Sequence, residues 1–210
     1  MPKKGFLIKS FRKYSKSEDD TLYPCPAGEP LTAGEAALIK SIFGDGIKTS
    51  PVRKYFSSKE KPGKSDGYIV PAQTFGADSI KFYGDRYKST DYSQSKNLFN
   101  YGTFIHEMTH VWQNQHRLRR AFHNRLHPSY SYRYTLTPRS RFRHFSEEQQ
   151  ASIIGDYACQ FLYPDRSADT KALPSLLQKV VEDRFPEARK TRLKLETRKN
   201  FFSQNAPKMG

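Results

Sequence analysis

Apolar residues recur at helical spacing in three stretches of the chain, and the interval between the first two has a different rhythm. In the first, Leu31-Thr32-Ala33-Gly34-Glu35 opens a helix with Thr32 and Glu35 spaced as a capping box, Leu38, Ile39, Ile42 and Phe43 form its buried face, and Gly44-Asp45-Gly46 stops it. The second runs over 97–116, where Leu98, Tyr101, Ile105, Met108 and Trp112 make one apolar stripe. The third starts at Ser146, which caps it with Gln149 completing a second capping box. Its apolar face is Ile153, Ile154, Tyr157, Ala158, Phe161 and Leu162, and Pro164 ends it. From 47 to 95 the chain breaks into short β-prone runs at 52–56, 68–71 and 79–83, divided by Gly, Pro, Ser and Asp, which predicts a small twisted sheet. The polar stretch 57–67 reads as a hairpin loop, and Pro174 starts a further helix reaching Arg184. The pattern predicts an α+β domain over 27–186, preceded by a polar arm at 1–26 and followed by a basic tail at 187–210 that is either a solvated helix or an arm touching an anionic partner.

Composition narrows this. The chain has 210 residues, long enough for one well-buried domain. Only 36% of it is hydrophobic, but 13 Tyr and 15 Phe supply large apolar area, so aromatics carry the core. The net charge of +15 attracts polyanions and anionic surfaces, yet Lys and Arg are scattered along the chain rather than massed, as solubility alone would also produce. Cys25 and Cys159 form no C-x-x-C pair, which excludes a disulfide framework and a sulfur-based zinc site. No apolar run reaches the roughly 18 residues of a membrane span. The start, with Lys9 and Arg12 cutting its apolar run, is not a signal peptide, so action outside the producing cell requires another export route.

The chemistry is concentrated in His106-Glu107-Met108-Thr109-His110, an H-E-x-x-H pattern inside the second helix. Residues four apart lie on one helix face, so the two imidazoles can converge on one zinc at about 2.0 to 2.1 Å, with Glu107 beside the open position as proton acceptor. With 6 histidines in the chain, about 0.01 accidental matches are expected. On the helical wheel the histidines lie opposite the apolar stripe, and Gly102, one turn earlier, leaves room for a close neighbour. Zinc requires a third protein ligand. Glu148, in the first turn of the third helix, is the choice from the residues, with Glu147 the adjacent alternative; His123, His127 and His144 remain, whereas His116 lacks the metzincin spacing. Asp156 is placed to accept the second N–H of a ligating imidazole. Tyr130, Tyr132, Tyr134 and Tyr157 are candidates to stabilise an oxyanion.

The segments Phe104-Ile105-His106-Glu107-Met108-Thr109-His110-Val111-Trp112-Gln113 and Glu148-Gln149-Gln150-Ala151-Ser152-Ile153-Ile154-Gly155-Asp156-Tyr157 resemble the zinc metallopeptidase domains attached to, or encoded beside, the valine-glycine-repeat spike proteins of bacterial type VI secretion systems. The resemblance covers Leu31 to about Leu162. It implies a zincin-like fold of gluzincin type, one Zn2+ held by His106, His110 and Glu148, and Glu107 as catalytic base. It also implies an antibacterial effector acting in the periplasm of a rival cell on a peptide or peptidoglycan-type substrate, with a cognate immunity protein in the producer. This chain departs from the family in lacking a spike module and in its extra basic ends, which leaves the delivery route open between cargo, adaptor and spike tip. Two other readings remain: a basic module binding nucleic acid or wall polymer, for which the spacing of His123-Asn124 and His127 offers no metal logic, and an inactive metallopeptidase-like adaptor, against which the intact Glu107 speaks.

Overall fold

A computed structural model describes residues 28–63, 69–116, 132–162 and 174–204, with the side chains of 198–204 outside the description. The arm at 1–26 with Cys25, the connection residues His123, His127 and Tyr130, and Pro164 lie outside the described residues.

The described residues build a small open sheet and five helices. The first strand, β1 (Glu29–Pro30), leads to α1 (Ala33–Phe43). Thr32 caps α1 by the predicted reciprocal bonds, its hydroxyl accepting from Glu35 N at 3.0 Å and its own N–H donating to Glu35 Oε2 at 2.9 Å. Next come β2 (Arg53–Ser57), the two-residue strands β3 (Lys61–Pro62) and β4 (Ile69–Val70), then β5 (Ala72–Phe75) and β6 (Ser79–Tyr83). The main sheet has the order β1-β2-β6-β5; β2 and β6 are parallel and the outer pairs antiparallel, while β3 and β4 form a separate ribbon. The run expected at 68–71 therefore divides at Pro71, whose missing N–H cannot join a ladder. The run expected at 79–83 forms β6. That run pairs on both sides, with β2 and with β5, and the outer strand beside it is β5. Gly76 (φ 66°) closes the β5–β6 turn.

α2 (Leu98–Gln115) runs through the middle, capped by the Asn97 side chain at Phe99 N and Asn100 N. The expected stripe is buried at Tyr101, Ile105, Met108 and Trp112, but so are Phe104, Thr109, Val111 and Gln113, because the helix is covered on more than one side. Toward the sheet, the rings of Phe56, Phe82, Tyr92 and Phe104 stack in series at centroid spacings of 5.6, 4.6 and 5.0 Å. On another side lies α3 (Glu147–Tyr157), which continues as a π-helical turn at Ala158–Leu162. The two helices approach closely at paired glycines: a Cβ on Gly102 would sit 2.9 Å from Cys159 Sγ, and one on Gly155 3.3 Å from Gly102 O.

The remaining helices, α4 (Pro174–Glu182) and α5 (Pro186–Gln204), close the domain. The segment assigned to a basic tail from 187 onward is α5, with Ala188 buried, Thr191 Oγ1 donating to Ser41 O at 3.0 Å and Arg192 paired with Glu182 at 2.6 Å. Under α1, a buried ion pair joins Lys54 Nζ to Glu35 Oε1 at 2.8 Å; the same carboxylate accepts from Tyr92 N, so the α1 cap also anchors β2 and the Tyr92 turn. No helix among the described residues is long and apolar enough to cross a membrane.

Candidate metal centre

The helical repeat of α2 places His106 and His110 one turn apart, and the first turn of α3 brings Glu148 to them. The Nε2 atoms of the two imidazoles are 3.2 Å apart, and Glu148 Oε2 is 3.3 Å from each. Among the described residues this is the group able to hold a metal ion; His116 and His144 stand outside it. Tetrahedral zinc with bonds of about 2.0 to 2.1 Å requires ligand atoms about 3.3 to 3.4 Å apart. The three edges of the triangle match that requirement, and two nitrogens with one carboxylate oxygen form a donor set that suits zinc. The three side chains are 16 to 26% exposed, so solvent reaches the triad.

The electrostatics of the triad follow from its geometry. Burial pushes the His110 imidazole down, but the Glu148 hydrogen bond and the charges of Glu107 and Glu148 outweigh it and hold the group at about 9. Burial likewise pushes the Glu148 carboxyl up, and the hydrogen bonds from His106 and His110 reverse this, keeping it well below the usual carboxylate range.

The orientation of His110 is set by Gln113, one helical turn on. Gln113 Nε2 donates to Glu147 O and to Gln150 Oε1, both at 3.1 Å, so its Oε1 faces His110 Nδ1 at 2.7 Å and accepts its proton. Nε2 is then the nitrogen left to bind a metal. Gln150 in turn donates to the carbonyls of Phe142 and Phe145, fixing the turn that leads into α3. Glu147, the alternative ligand, contributes its backbone carbonyl to this chain of amides. Gln113 was absent from the sequence-derived site, although its i+3 spacing from His110 was a usable signal.

Glu107 is 6% exposed and held by Thr74 of β5, whose hydroxyl lies 2.7 Å from Glu107 Oε2 and 3.0 Å from Glu107 O. Nothing local in the sequence marks Thr74, because its role depends on the packing of β5 against α2. The ring of Tyr132 lies 5.7 Å from that of His106, placed there by Gln149, whose side chain accepts from Ser146 N and donates to Arg133 O at 2.8 Å. Tyr134 donates to Asp156 Oδ2 at 2.5 Å. Burial raises the Asp156 carboxyl, partly offset by that hydrogen bond and by the charge of His106; the donor it accepts from is Tyr134 and not the second N–H of a ligating imidazole. Tyr157 is not at the site: it is buried, donating to Glu182 and Ala188 O, and joins α3 to α4 and α5.

No family model matches the chain. Over 139 residues, 62% of its length, the chain is 32% identical to the type VI secretion system spike protein VgrG2b of Pseudomonas aeruginosa, and it spans 13% of the length of that relative. Among solved structures it is similar to the effector domain of P. aeruginosa VgrG2b, with a TM-score of 0.51 and 27% identity, covering 78% of this chain and 89% of that one. Sequence and fold together link the chain to the effector domain of a type VI secretion spike protein.

Proposed function

We propose that the chain is a zinc metallopeptidase with a zincin-like fold, serving as an antibacterial type VI secretion effector that hydrolyses a peptide bond in the envelope of a target cell. The observation that carries this reading is the near-equilateral triangle of His106 Nε2, His110 Nε2 and Glu148 Oε2, with the Glu107 carboxylate beside it. Similarity to a spike effector domain supports the secretion route, with a spike or adaptor protein as carrier, the target periplasm as the place of action and a cognate immunity protein in the producer.

His106, His110 and Glu148 would hold the ion, which when bound supplies Lewis acidity, polarising an acyl carbonyl and acidifying water. The other steps belong to the chain. The outer edge of β5 offers backbone N–H and C=O groups to an extended peptide. Glu107, fixed by Thr74, takes a proton from the attacking water. The water oxygen bonds to the scissile carbonyl carbon, the C–N bond breaks, and Glu107 returns the proton to the leaving nitrogen. Tyr132, whose ring lies beside that of His106, would hydrogen-bond the oxyanion.

Metal analysis and periplasmic expression of three proteins test this. The wild type is expected to carry one zinc per chain and to arrest growth, Glu107→Gln to keep the zinc and lose toxicity, and His106→Ala to lose the zinc. Full toxicity of Glu107→Gln, or toxicity restricted to the cytoplasm, would overturn the proposal.

A further inference from the structure

On the face of the sheet turned away from α2, two ammonium groups share one aromatic ring. Lys61 Nζ lies 5.0 Å and Lys81 Nζ 5.5 Å from the centre of the Tyr83 ring. Lys61 also donates to the side chain of Gln73 on β5. Among the described residues neither lysine meets a carboxylate at ion-pair distance. Elsewhere on the domain exposed cations do find acids, as Arg86 finds Glu60 and Lys190 finds Glu187. Burial, and after it the charge of Lys81, lower the pKa of Lys61.

This cluster adjoins the candidate active site through β5. Gln73 pairs with Lys81 across the β5–β6 ladder and immediately precedes Thr74, whose hydroxyl holds Glu107. The charge of Glu107 is felt at Tyr83, which burial and that charge together raise. Neighbouring strands lie about 4.8 Å apart, so a peptide paired to the outer edge of β5 runs about 10 Å from the β6 backbone. A lysine stem and an acidic side chain together span that gap, and alternate side chains of such a peptide project to the Lys61–Lys81 face.

We propose that Lys61 and Lys81, arranged around Tyr83 and Gln73, form an anion subsite that takes a carboxylate side chain of a peptide laid along β5. The substrate class is then an extended acidic peptide, with its negative charge at a fixed distance from the scissile bond. This rests on the peptidase reading for the identity of the bound anion.

The test uses zinc-loaded Glu107→Gln protein, which binds without turnover, and a set of capped neutral heptapeptides in which a single Glu, or Gln as control, is moved through every position. At low ionic strength one register is expected to bind Glu about three- to tenfold tighter than Gln, the gain from two partly exposed charge contacts. Lys61→Gln with Lys81→Gln should abolish that preference. Arg189→Gln with Lys194→Gln, which removes the same charge from exposed sites on α5, should retain it. A uniform response across all positions, or a preference that survives the lysine changes or falls equally in the α5 control, would overturn the subsite. Hydrolysis of the same peptides by the wild type separates the two readings. Cleavage without a Glu preference sinks the subsite alone, and a lysine-dependent preference without cleavage sinks the peptidase alone.

Discussion

Thr74 and Glu107 form the contact on which the proposed proton transfers would depend, and its chemistry is simple to remove. Thr74→Val keeps the side-chain volume and deletes the hydroxyl, so zinc content should be unchanged while kcat falls about 10- to 100-fold, the worth of a hydrogen bond to a charged group. Thr74→Ser should restore most of the rate, and equal loss in both variants would reduce Thr74 to a packing role. His110 sets a pH dependence. In the metal-free protein it keeps its proton up to about pH 9, and zinc must displace that proton, so apparent zinc affinity should keep rising between pH 7 and 9 instead of levelling off near the ordinary imidazole value of about 6.5. Competition with a chelator at several pH values measures this. In the absence of metal, the raised His110 contributes stability that is full below about pH 6.5 and lost as pH rises through about 9. The depressed Glu148 contributes stability present above its ordinary range and lost in acid. The buried Lys54–Glu35 pair makes an asymmetric prediction. Glu35→Ala leaves Lys54 in the core with a 3.4 Å contact to Thr90 O and the Tyr92 ring at 5.5 Å but without its carboxylate partner, and should cost about 3 to 5 kcal/mol in a denaturation experiment. Lys54→Met leaves Glu35 bonded to the N–H groups of Thr32 and Tyr92, and should cost less.

At the scale of elements, the crossing of α2 and α3 governs the metal centre, because the histidines ride on one helix and Glu148 on the other. Gly102→Ala should raise helix propensity by about 1 kcal/mol yet weaken zinc binding, since the new methyl meets Cys159 Sγ at 2.9 Å and pushes the helices apart. Adding Cys159→Ala should recover affinity in the same chelator titration. Both helices were readable from their capping residues and periodicity, and so was the convergence of His106 and His110, because spacing along one helix is a local property; Glu148 was chosen for its place in the first turn of a second amphipathic helix. The close approach at Gly102 was also anticipated. The edge of the sheet was not: Ala72-Gln73-Thr74-Phe75 has too little β-branched or apolar alternation to stand out, and only non-local pairing decides that 79–83 lies inside it. Thr74 was hidden for the same reason. Glu35 was visible only as a cap, since its buried partner comes from a strand nineteen residues away.

For the molecule as a whole, the last helix matters more than its polar composition suggests. Ending the chain after Phe185 removes the buried Ala188, the Thr191–Ser41 bond and the Arg192 partner of Glu182. Such a protein should lose its cooperative thermal transition, whereas a shortening confined to the residues after 204 should leave it intact. The same aromatic stack fixes the sheet against α2 over a distance no single side chain spans. The three converging donors come from two helices, His106 and His110 from α2 and Glu148 from α3, and meet only once the chain has folded. An unwound copy therefore lacks the assembled triad, so tight capture of a divalent cation by the proposed site has to follow folding.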